Sequence, residues 1–217
     1  MKIENILFDL DGTLTDPRVG ITRSIQYALE KLGRTVPPAD DLLWCIGPPL
    51  QESLGKLLPA DPDRAKAALS FYRERFNAVG KFENEVYPGV MEVLDVLSAQ
   101  GLNLFVATSK PAVYAREIIA HFDLLAFFKK VYGSELNGDL TDKGALISHI
   151  LLSEMLAAPR TVMIGDRSYD IRGAAKNNVR SLGVTYGYGT KNELLEAGAD
   201  YIAGSPHEIL HALKGLL

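Results

Sequence analysis

The stretch of sequence that decides the fold is Ile6-Leu7-Phe8-Asp9-Leu10-Asp11-Gly12-Thr13-Leu14-Thr15-Asp16. Its first three residues are apolar and predict a buried strand, and Asp9 and Asp11 follow where that strand should end. Burial and mutual repulsion both oppose the ionisation of two neighbouring carboxyl groups. A divalent cation removes that penalty, and carboxylate oxygens are ligands that Mg²⁺ prefers. The stretch therefore predicts a magnesium-assisted site for chemistry on a phosphate group.

Composition and charge limit the classes of protein to which the chain can belong. The chain has 217 residues, 47% of them hydrophobic, which is enough for one domain or for a core with a smaller insert. The formal net charge is −4 without a Lys/Arg run, which argues against a nucleic-acid partner. Cys45 is the only cysteine, so no intrachain disulfide can form and a reducing compartment is expected. We see no apolar leader and no bilayer-spanning apolar segment, so we expect a cytoplasmic protein with no membrane partner.

Predicted strands and helices alternate from Val90 onward. Apolar runs predict strands at 3–8, 102–107, 130–132, 161–164, 179–184 and, more weakly, 201–202. Helical spacing predicts helices at 90–99, 112–122, 144–156 and 171–176, and a last helix near the end of the chain. This alternation predicts a parallel sheet with helices on both faces, which is a Rossmann-like, doubly wound α/β fold.

The region 17–83 is predicted to be helical and to form an insertion between the first strand and the rest of the sheet. The α/β core domain would then consist of residues 1–16 and 84–217. Within the insertion, apolar residues at helical spacing predict a first helix that stops near Gly33.

Two capping signals lie inside the insertion. Asp61 followed by Pro62 predicts the start of a long helix that runs through Ala78. Asp40 or Asp41 is predicted to cap a short helix.

Polar side chains gather at the predicted strand ends. In a doubly wound sheet, ligands bind outside the carboxyl ends of the strands, so these side chains are expected to meet. They are Asp9 and Asp11 after the first strand, Thr108 and Ser109 after the second, Asp166 after a later strand, and Lys143 at the start of a helix.

Four sequence motifs carry a resemblance to a known family. They are Asp-Leu-Asp-Gly-Thr at 9–13, Ala-Thr-Ser at 107–109, Lys143, and Gly-Asp-Arg-Ser-Tyr-Asp at 165–170. In this order they resemble the motifs of the haloacid dehalogenase superfamily, and the insertion 17–83 resembles its small cap domain. Within that superfamily the chain looks similar to phosphoglycolate phosphatases and to bacterial 5'-nucleotidase-like phosphatases.

The resemblance implies a mechanism with two catalytic carboxylates. Asp9 would attack phosphorus and displace the substrate alkoxide, and water would hydrolyse the resulting aspartyl phosphate. Asp11 would protonate the leaving oxygen and later accept a proton from the attacking water. The metal would be Mg²⁺, held by the side chains of Asp9 and Asp166 and by the main-chain carbonyl of Asp11. Asp170 would bind the metal through water or orient Lys143.

The resemblance also assigns residues that bind the phosphate. Gly12 would let the chain turn so that backbone N–H groups face the phosphate oxygens. Thr108 would donate its hydroxyl, Ser109 its backbone N–H, and Lys143 a positive charge shared with Asp9. Lys110 follows the second motif directly and either adds to the field at the phosphate or is exposed to solvent.

The expected substrates are small phosphorylated metabolites, with phosphoglycolate and 5'-nucleotides as the leading candidates. The cap would close over the core and select the rest of the substrate. The loop 46–50 is predicted either to form the specificity surface or to be a plain connector between two helices. The chain is expected to act as a monomer or a homodimer.

Structural explanations compete with the assigned roles. Thr108 and Ser109 could instead cap the helix that Pro111 opens, and Asp166 and Asp170 could be capping residues. Lys143 could be a solvated helix lysine, although a cation in a first helical turn opposes the helix dipole.

Three other functions remain open at this point. A dehalogenase would use Asp9 without a metal and has no use for Asp11 as an acid or base. A sugar-phosphate mutase would return the phosphoryl group to a sugar hydroxyl. A non-enzymatic receiver domain also places an acceptor Asp, a Thr or Ser and a Lys at strand ends, but it would not need the insertion.

Overall fold

The computed structural model describes residues 2–59 and 61–215. Its contacts divide the chain into two compact units, one formed by Met1–Asp16 with Val86–Leu217 and the other by Pro17–Glu85. The assignment of the second unit as a substrate-selecting cap stays a prediction. Among the described residues, every helix is too short or too polar to cross a membrane.

The strands are β1 (Asn5–Phe8), β2 (Thr15–Asp16), β3 (Glu85–Val86), β4 (Asn103–Pro111), β5 (Lys130–Ser134), β6 (Thr161–Gly165), β7 (Arg180–Val184) and β8 (Tyr201–Ala203). The α-helices are α1 (Arg18–Lys31), α2 (Leu50–Leu57), α3 (Pro62–Ala78), α4 (Val90–Ala99), α5 (Ala112–His121), α6 (Lys143–Ser153), α7 (Ser168–Lys176), α8 (Lys191–Glu196) and α9 (Pro206–Leu213).

The first unit is built on a parallel sheet, which in the described part of the chain has six strands in the order β5-β4-β1-β6-β7-β8. The chain moves from β1 to one side through β4 and β5, and then returns to the other side through β6. This reversal confirms the predicted doubly wound α/β fold. Phe8 at the end of β1 is in register with Val106 of β4 and with Ile164 of β6. The carboxyl ends of β1 and β6 therefore lie side by side where the strand order reverses, and β4 continues past them on the other side of β1.

The three central strands are buried on both faces, which explains their continuous apolar sequences. Leu7, Phe105 and Met163 come from neighbouring strands and pack in one core cluster with Ile147 and Ile150 of α6. Their burial fixes the strands rigidly beneath the polar residues at their ends.

Several predicted elements differ from the observed ones. β4 continues to Pro111 instead of ending near Ala107, and α5 begins without a side-chain cap, so the capping role considered for Thr108 and Ser109 is wrong. The helix α8 was not predicted, because it has only six residues and so offers too little periodicity to detect.

The two capping predictions in the insertion have opposite outcomes. The Asp61 side chain accepts a hydrogen bond from the Arg64 N–H at 2.9 Å, which confirms it as the N-cap of α3. The predicted cap at Asp40 or Asp41 is wrong, because the 3₁₀-helix Ala39–Cys45 begins without one, and Asp40 pairs with Arg18 instead.

The second unit depends on a close backbone approach at Gly20 of α1. A Cβ at this position would lie 1.9 Å from the Gly80 carbonyl oxygen, and the Gly20 N–H donates to the Glu83 carbonyl at 2.9 Å. Nearby, Arg75 donates two hydrogen bonds to the Glu83 carboxylate, and these bonds lower the pKa of Glu83. The helix and the segment 80–83 therefore leave no room for a side chain at position 20.

The Gly20→Ala variant should lower the free energy of unfolding by about 1–3 kcal/mol, because the added methyl group overpacks the contact with Gly80. Gly55 of α2 is the matched control, since a Cβ there would meet nothing within 4 Å in the described part of the chain apart from its chain neighbours and its own helix backbone. Gly55→Ala should be neutral or stabilise the protein by up to about 1 kcal/mol, because glycine costs conformational entropy in a helix. Urea titrations of the two variants measure the difference, and equal midpoints would contradict the packing argument.

Candidate active site

Three carboxylates converge where β1 and β6 end. Asp9 directly follows β1 and donates its backbone N–H to the Ile164 carbonyl at 2.8 Å, while Asp166 directly follows β6. Asp170 lies in the first turn of α7. One carboxylate oxygen from each of these three residues lies within 4.8 Å of the others, and all three residues are buried. The structure thus brings together three of the four predicted metal-binding residues.

Lys143 provides the positive charge of this cluster. Its Nζ donates to Asp9 Oδ1 at 3.0 Å and to the Ala107 carbonyl at 2.8 Å, and it forms an ion pair with Asp170 Oδ1 at 2.8 Å. Only 4% of Lys143 is exposed, so it is not a solvated helix lysine. Burial by itself would lower the pKa of Lys143, but the charges of Asp170 and Asp9 raise it above its ordinary value. Lys143 is therefore held as a cation between two carboxylates.

The Asp11 side chain does not join the carboxylate cluster. The Lys110 ammonium donates to Asp11 Oδ1 at 2.6 Å and lies 2.5 Å from Oδ2. Burial raises the pKa of Asp11, against the opposing effect of the Lys110 charge. A metal contact from Asp11 would thus have to come from its main chain, as the resemblance implies.

Asp170 combines two of the roles considered from the sequence. Its Oδ2 accepts a hydrogen bond from the Arg167 N–H at 3.1 Å, which caps the start of α7. Its other oxygen faces Lys143. Burial raises the pKa of Asp170 to about 6, partly offset by the Lys143 charge. Capping and a place in the cluster are therefore compatible, because each uses a different oxygen.

The predicted phosphate-binding residues lie on β4 and at the turn after β1. Thr108 is buried, and its hydroxyl accepts a hydrogen bond from the Lys110 N–H at 3.2 Å. The Ser109 hydroxyl donates to the Thr141 carbonyl at 3.1 Å, so it supports the loop before α6. Gly12 has a φ of 83°, a left-handed conformation that favours glycine. A phosphate contact by any of these residues stays a prediction.

The loop after β7 belongs to the site and was missed in the sequence. The Tyr188 N–H donates to Asp166 Oδ2 at 2.7 Å. A Cβ at Gly187 would lie 2.5 Å from the same oxygen and 2.2 Å from the Gly12 carbonyl. The signal was the Gly-Tyr-Gly sequence at 187–189, which begins three residues after the end of a predicted strand, since glycines there permit close backbone approach.

The carboxylate cluster fits a divalent cation. Asp166 Oδ1 is buried and finds no hydrogen-bond donor within residues 2–59 and 61–215. Burial and the charges of Asp9 and Asp170 raise the pKa of Asp166 well above its usual range. Both observations describe carboxylates that need a neutralising partner, and hard oxygen ligands suit Mg²⁺. The cluster could therefore hold a divalent metal ion.

Comparisons with known proteins bear on the family and the fold of this chain. Residues 6–184 match the family described as "Haloacid dehalogenase-like hydrolase". A Pseudomonas aeruginosa protein named "5'-nucleotidase" is 51% identical over 194 residues, which cover 89% of this chain and 88% of that protein. A Mycobacterium tuberculosis protein named "Tyrosine-protein kinase PtkA" is 36% identical over 184 residues, which cover 85% of this chain but 62% of that protein. The crystal structure of a predicted phosphatase from Clostridium acetobutylicum has a TM-score of 0.96 at 42% identity, with 100% of both chains covered.

These matches confirm the resemblance inferred from the four motifs. The matched region begins in β1 and ends with β7, so it includes every carboxylate described above. Relatives named as a 5'-nucleotidase and a phosphatase support an enzyme of the phosphoric monoester hydrolase class. The chain belongs to the haloacid dehalogenase-like hydrolases.

Proposed function

We propose that this protein is an Mg²⁺-dependent phosphatase that hydrolyses small phosphate monoesters through an aspartyl-phosphate intermediate. The observation that carries the proposal is the buried cluster of Asp9, Asp166 and Asp170, in which the Lys143 ammonium pairs with Asp9 and Asp170. Such a cluster combines a nucleophile, a cation and ligands for a metal at the place where doubly wound folds bind their ligands.

Asp9 is the proposed nucleophile. Its Oδ1 is held by Lys143 at 3.0 Å, which orients the carboxylate and restrains its rotation. Attack on phosphorus would form an Asp9–phosphorus bond and expel the substrate alcohol, and water would then release inorganic phosphate. Asp11 would give a proton to the leaving oxygen and recover one from the water.

Asp9 and Asp166 are the proposed side-chain ligands of Mg²⁺, and Asp170 supports the same site. When bound, the ion supplies positive charge that neutralises the carboxylates and the transferring phosphoryl group. The Tyr188 N–H and Lys143 restrain Asp166 and Asp170, so their oxygens are preorganised.

5'-Nucleotides are the proposed first choice of substrate, because the 51% identical relative is named a 5'-nucleotidase. Phosphoglycolate remains the second choice. The partner is thus a small phosphorylated metabolite, and the helical unit is proposed to select among such esters.

Phosphate release from a panel of phosphate esters, with pyrophosphate as a non-ester comparison, tests the proposal. The panel contains 5'-nucleoside monophosphates, phosphoglycolate, a hexose phosphate and pyrophosphate, each with Mg²⁺ and with excess EDTA. We expect turnover of a monoester with Mg²⁺ and a loss of on the order of 10²-fold or more when the ion is removed, because neutralisation of the phosphate charge is lost.

The panel also separates the alternatives. Phosphoryl transfer to a hexose phosphate without release of phosphate would identify a mutase. A stable phosphorylated protein without turnover would identify a receiver-like switch. Equal rates with and without Mg²⁺ would contradict the metal-assisted mechanism.

A further inference from the structure

Lys110 and Asp11 form a buried ion pair at the ends of the neighbouring strands β4 and β1. The Lys110 Nζ contacts both oxygens of the Asp11 carboxylate, at 2.6 Å and 2.5 Å. Only 6% of the Lys110 side chain and 11% of the Asp11 side chain are exposed. A single ammonium group that contacts both oxygens restrains the rotation of the carboxylate.

The backbone of Lys110 is itself fixed by the sheet. The register between β4 and β5 shifts between Ala107 and Pro111, and such irregularities re-aim side chains near functional sites. The Lys110 N–H is bound to the Thr108 hydroxyl at 3.2 Å. On the other side, a Cβ at Gly133 of β5 would lie 2.4 Å from the Lys110 carbonyl oxygen. The ammonium therefore extends toward Asp11 from a fixed position.

Stability alone does not account for this pair. The desolvation of two charges largely offsets their attraction, so a buried ion pair is weak evidence for a stabilising role. The Asp11 carboxylate also lies outside the cluster of Asp9, Asp166 and Asp170 that could hold a metal ion. What the pair does accomplish is to hold the Asp11 carboxylate in one orientation outside that cluster.

We propose that Lys110 is a positioning residue that fixes the Asp11 carboxyl group for proton transfer, an inference that rests on the proposed function. In the first step, Asp9 bonds to phosphorus, the bond to the leaving oxygen breaks, and that oxygen takes the Asp11 proton. In the second step, water bonds to phosphorus, the Asp9–phosphorus bond breaks, and a water proton passes to Asp11. Both transfers require the same carboxyl group within hydrogen-bond reach of the reacting oxygen.

The test compares two esters that differ in their need for a proton. An alkyl ester such as a 5'-nucleoside monophosphate expels an alkoxide that must be protonated, whereas p-nitrophenolate leaves without a proton. The Lys110→Met variant should lower kcat/KM for the alkyl ester on the order of 10²-fold, within the range of general acid catalysis, but less than about fivefold for p-nitrophenyl phosphate. Lys110→Arg should lower the ratio of kcat/KM for the alkyl ester to kcat/KM for p-nitrophenyl phosphate less than Lys110→Met does. Arginine keeps the positive charge but places its donors differently.

Two controls isolate the pair. In the Asp11→Asn background, Lys110→Met should cause no further loss on the alkyl ester, because the group that it positions is already gone. Lys130→Met is the matched control for charge, since Lys130 forms an exposed ion pair with Glu154 at 3.3 Å. It should change neither kcat/KM value.

Each result has a defined meaning. An equal loss on both esters would overturn the inference and assign Lys110 to the phosphate charge, and unchanged values on both would overturn it as well. If the wild-type protein hydrolyses only another alkyl ester of the panel, that ester replaces the nucleotide in this comparison. If it hydrolyses no ester of the panel, the proposed function fails and the inference falls with it. If circular dichroism shows that Lys110→Met is unfolded, Lys110→Arg replaces it in the test. The expected result is then a smaller fall in the ratio of kcat/KM for the alkyl ester to kcat/KM for p-nitrophenyl phosphate.

Discussion

The Asp9→Asn variant is expected to lose kcat for every phosphate monoester by on the order of 10⁴-fold or more, because an amide cannot replace the attacking carboxylate. The fold should persist. Asp9 is one of three crowded carboxylates, and Lys143 keeps its ion pair with Asp170 at 2.8 Å when Asp9 is neutral. Phosphate release gives kcat, and thermal unfolding measured on the same sample establishes that the variant is folded.

A matched variant separates loss of the nucleophile from general loss of charge. Asp95 is exposed on α4 of the same unit, so Asp95→Asn should retain wild-type kcat. Rapid quenching during turnover should trap a hydroxylamine-sensitive phosphoprotein with wild-type enzyme but not with Asp9→Asn. Normal turnover by Asp9→Asn would remove the mechanism proposed for this site.

The Lys143→Ala variant is expected to lower kcat/KM on the order of 10²–10³-fold, because a preorganised cation at the transferring phosphoryl group is lost. It should also lower the free energy of unfolding of the metal-free protein by about 3–5 kcal/mol, since removal of one partner leaves buried charge uncompensated. The Asp9 and Asp170 carboxylates would then face each other without the ammonium between them.

Mg²⁺ should restore part of the stability of Lys143→Ala, because a ligand that binds only the folded state stabilises it. The increase in Tm on addition of Mg²⁺ should thus be larger for Lys143→Ala than for the wild-type protein. Lys130→Ala, which removes an exposed lysine, is the control for both measurements. An unchanged kcat/KM together with an unchanged Tm would show that Lys143 is not part of the site.

Local sequence patterns were sufficient for most of the fold. The apolar runs that became β1, β4 and β6 and the helical spacing that became α4 were read correctly, because a buried strand or an amphipathic helix needs a particular order of neighbouring residues. The helix α8 could not be predicted, because six residues give too short a periodic signal. The end of β4 could not be predicted either, because the sequence Thr108-Ser109-Lys110-Pro111 is typical of a helix start.

Local sequence patterns could not predict which residues contact each other within the site. The sequence placed Asp9, Asp166 and Lys143 at strand and helix ends, and the parallel sheet then brought those ends together. No local pattern, however, links Asp11 with Lys110, which lies 99 residues away. The same is true of the Tyr188 N–H and Asp166, which are 22 residues apart.

The sequence by itself determined the order of strands and helices and the chemical groups available at their ends, because these follow from interactions between residues close in the chain. Only the tertiary structure decided which carboxylates share a cation, which one pairs with Lys110, and which backbone amide reaches Asp166. Those choices depend on the register of neighbouring strands and on close packing at glycines such as Gly187, and both are set by contacts between distant segments.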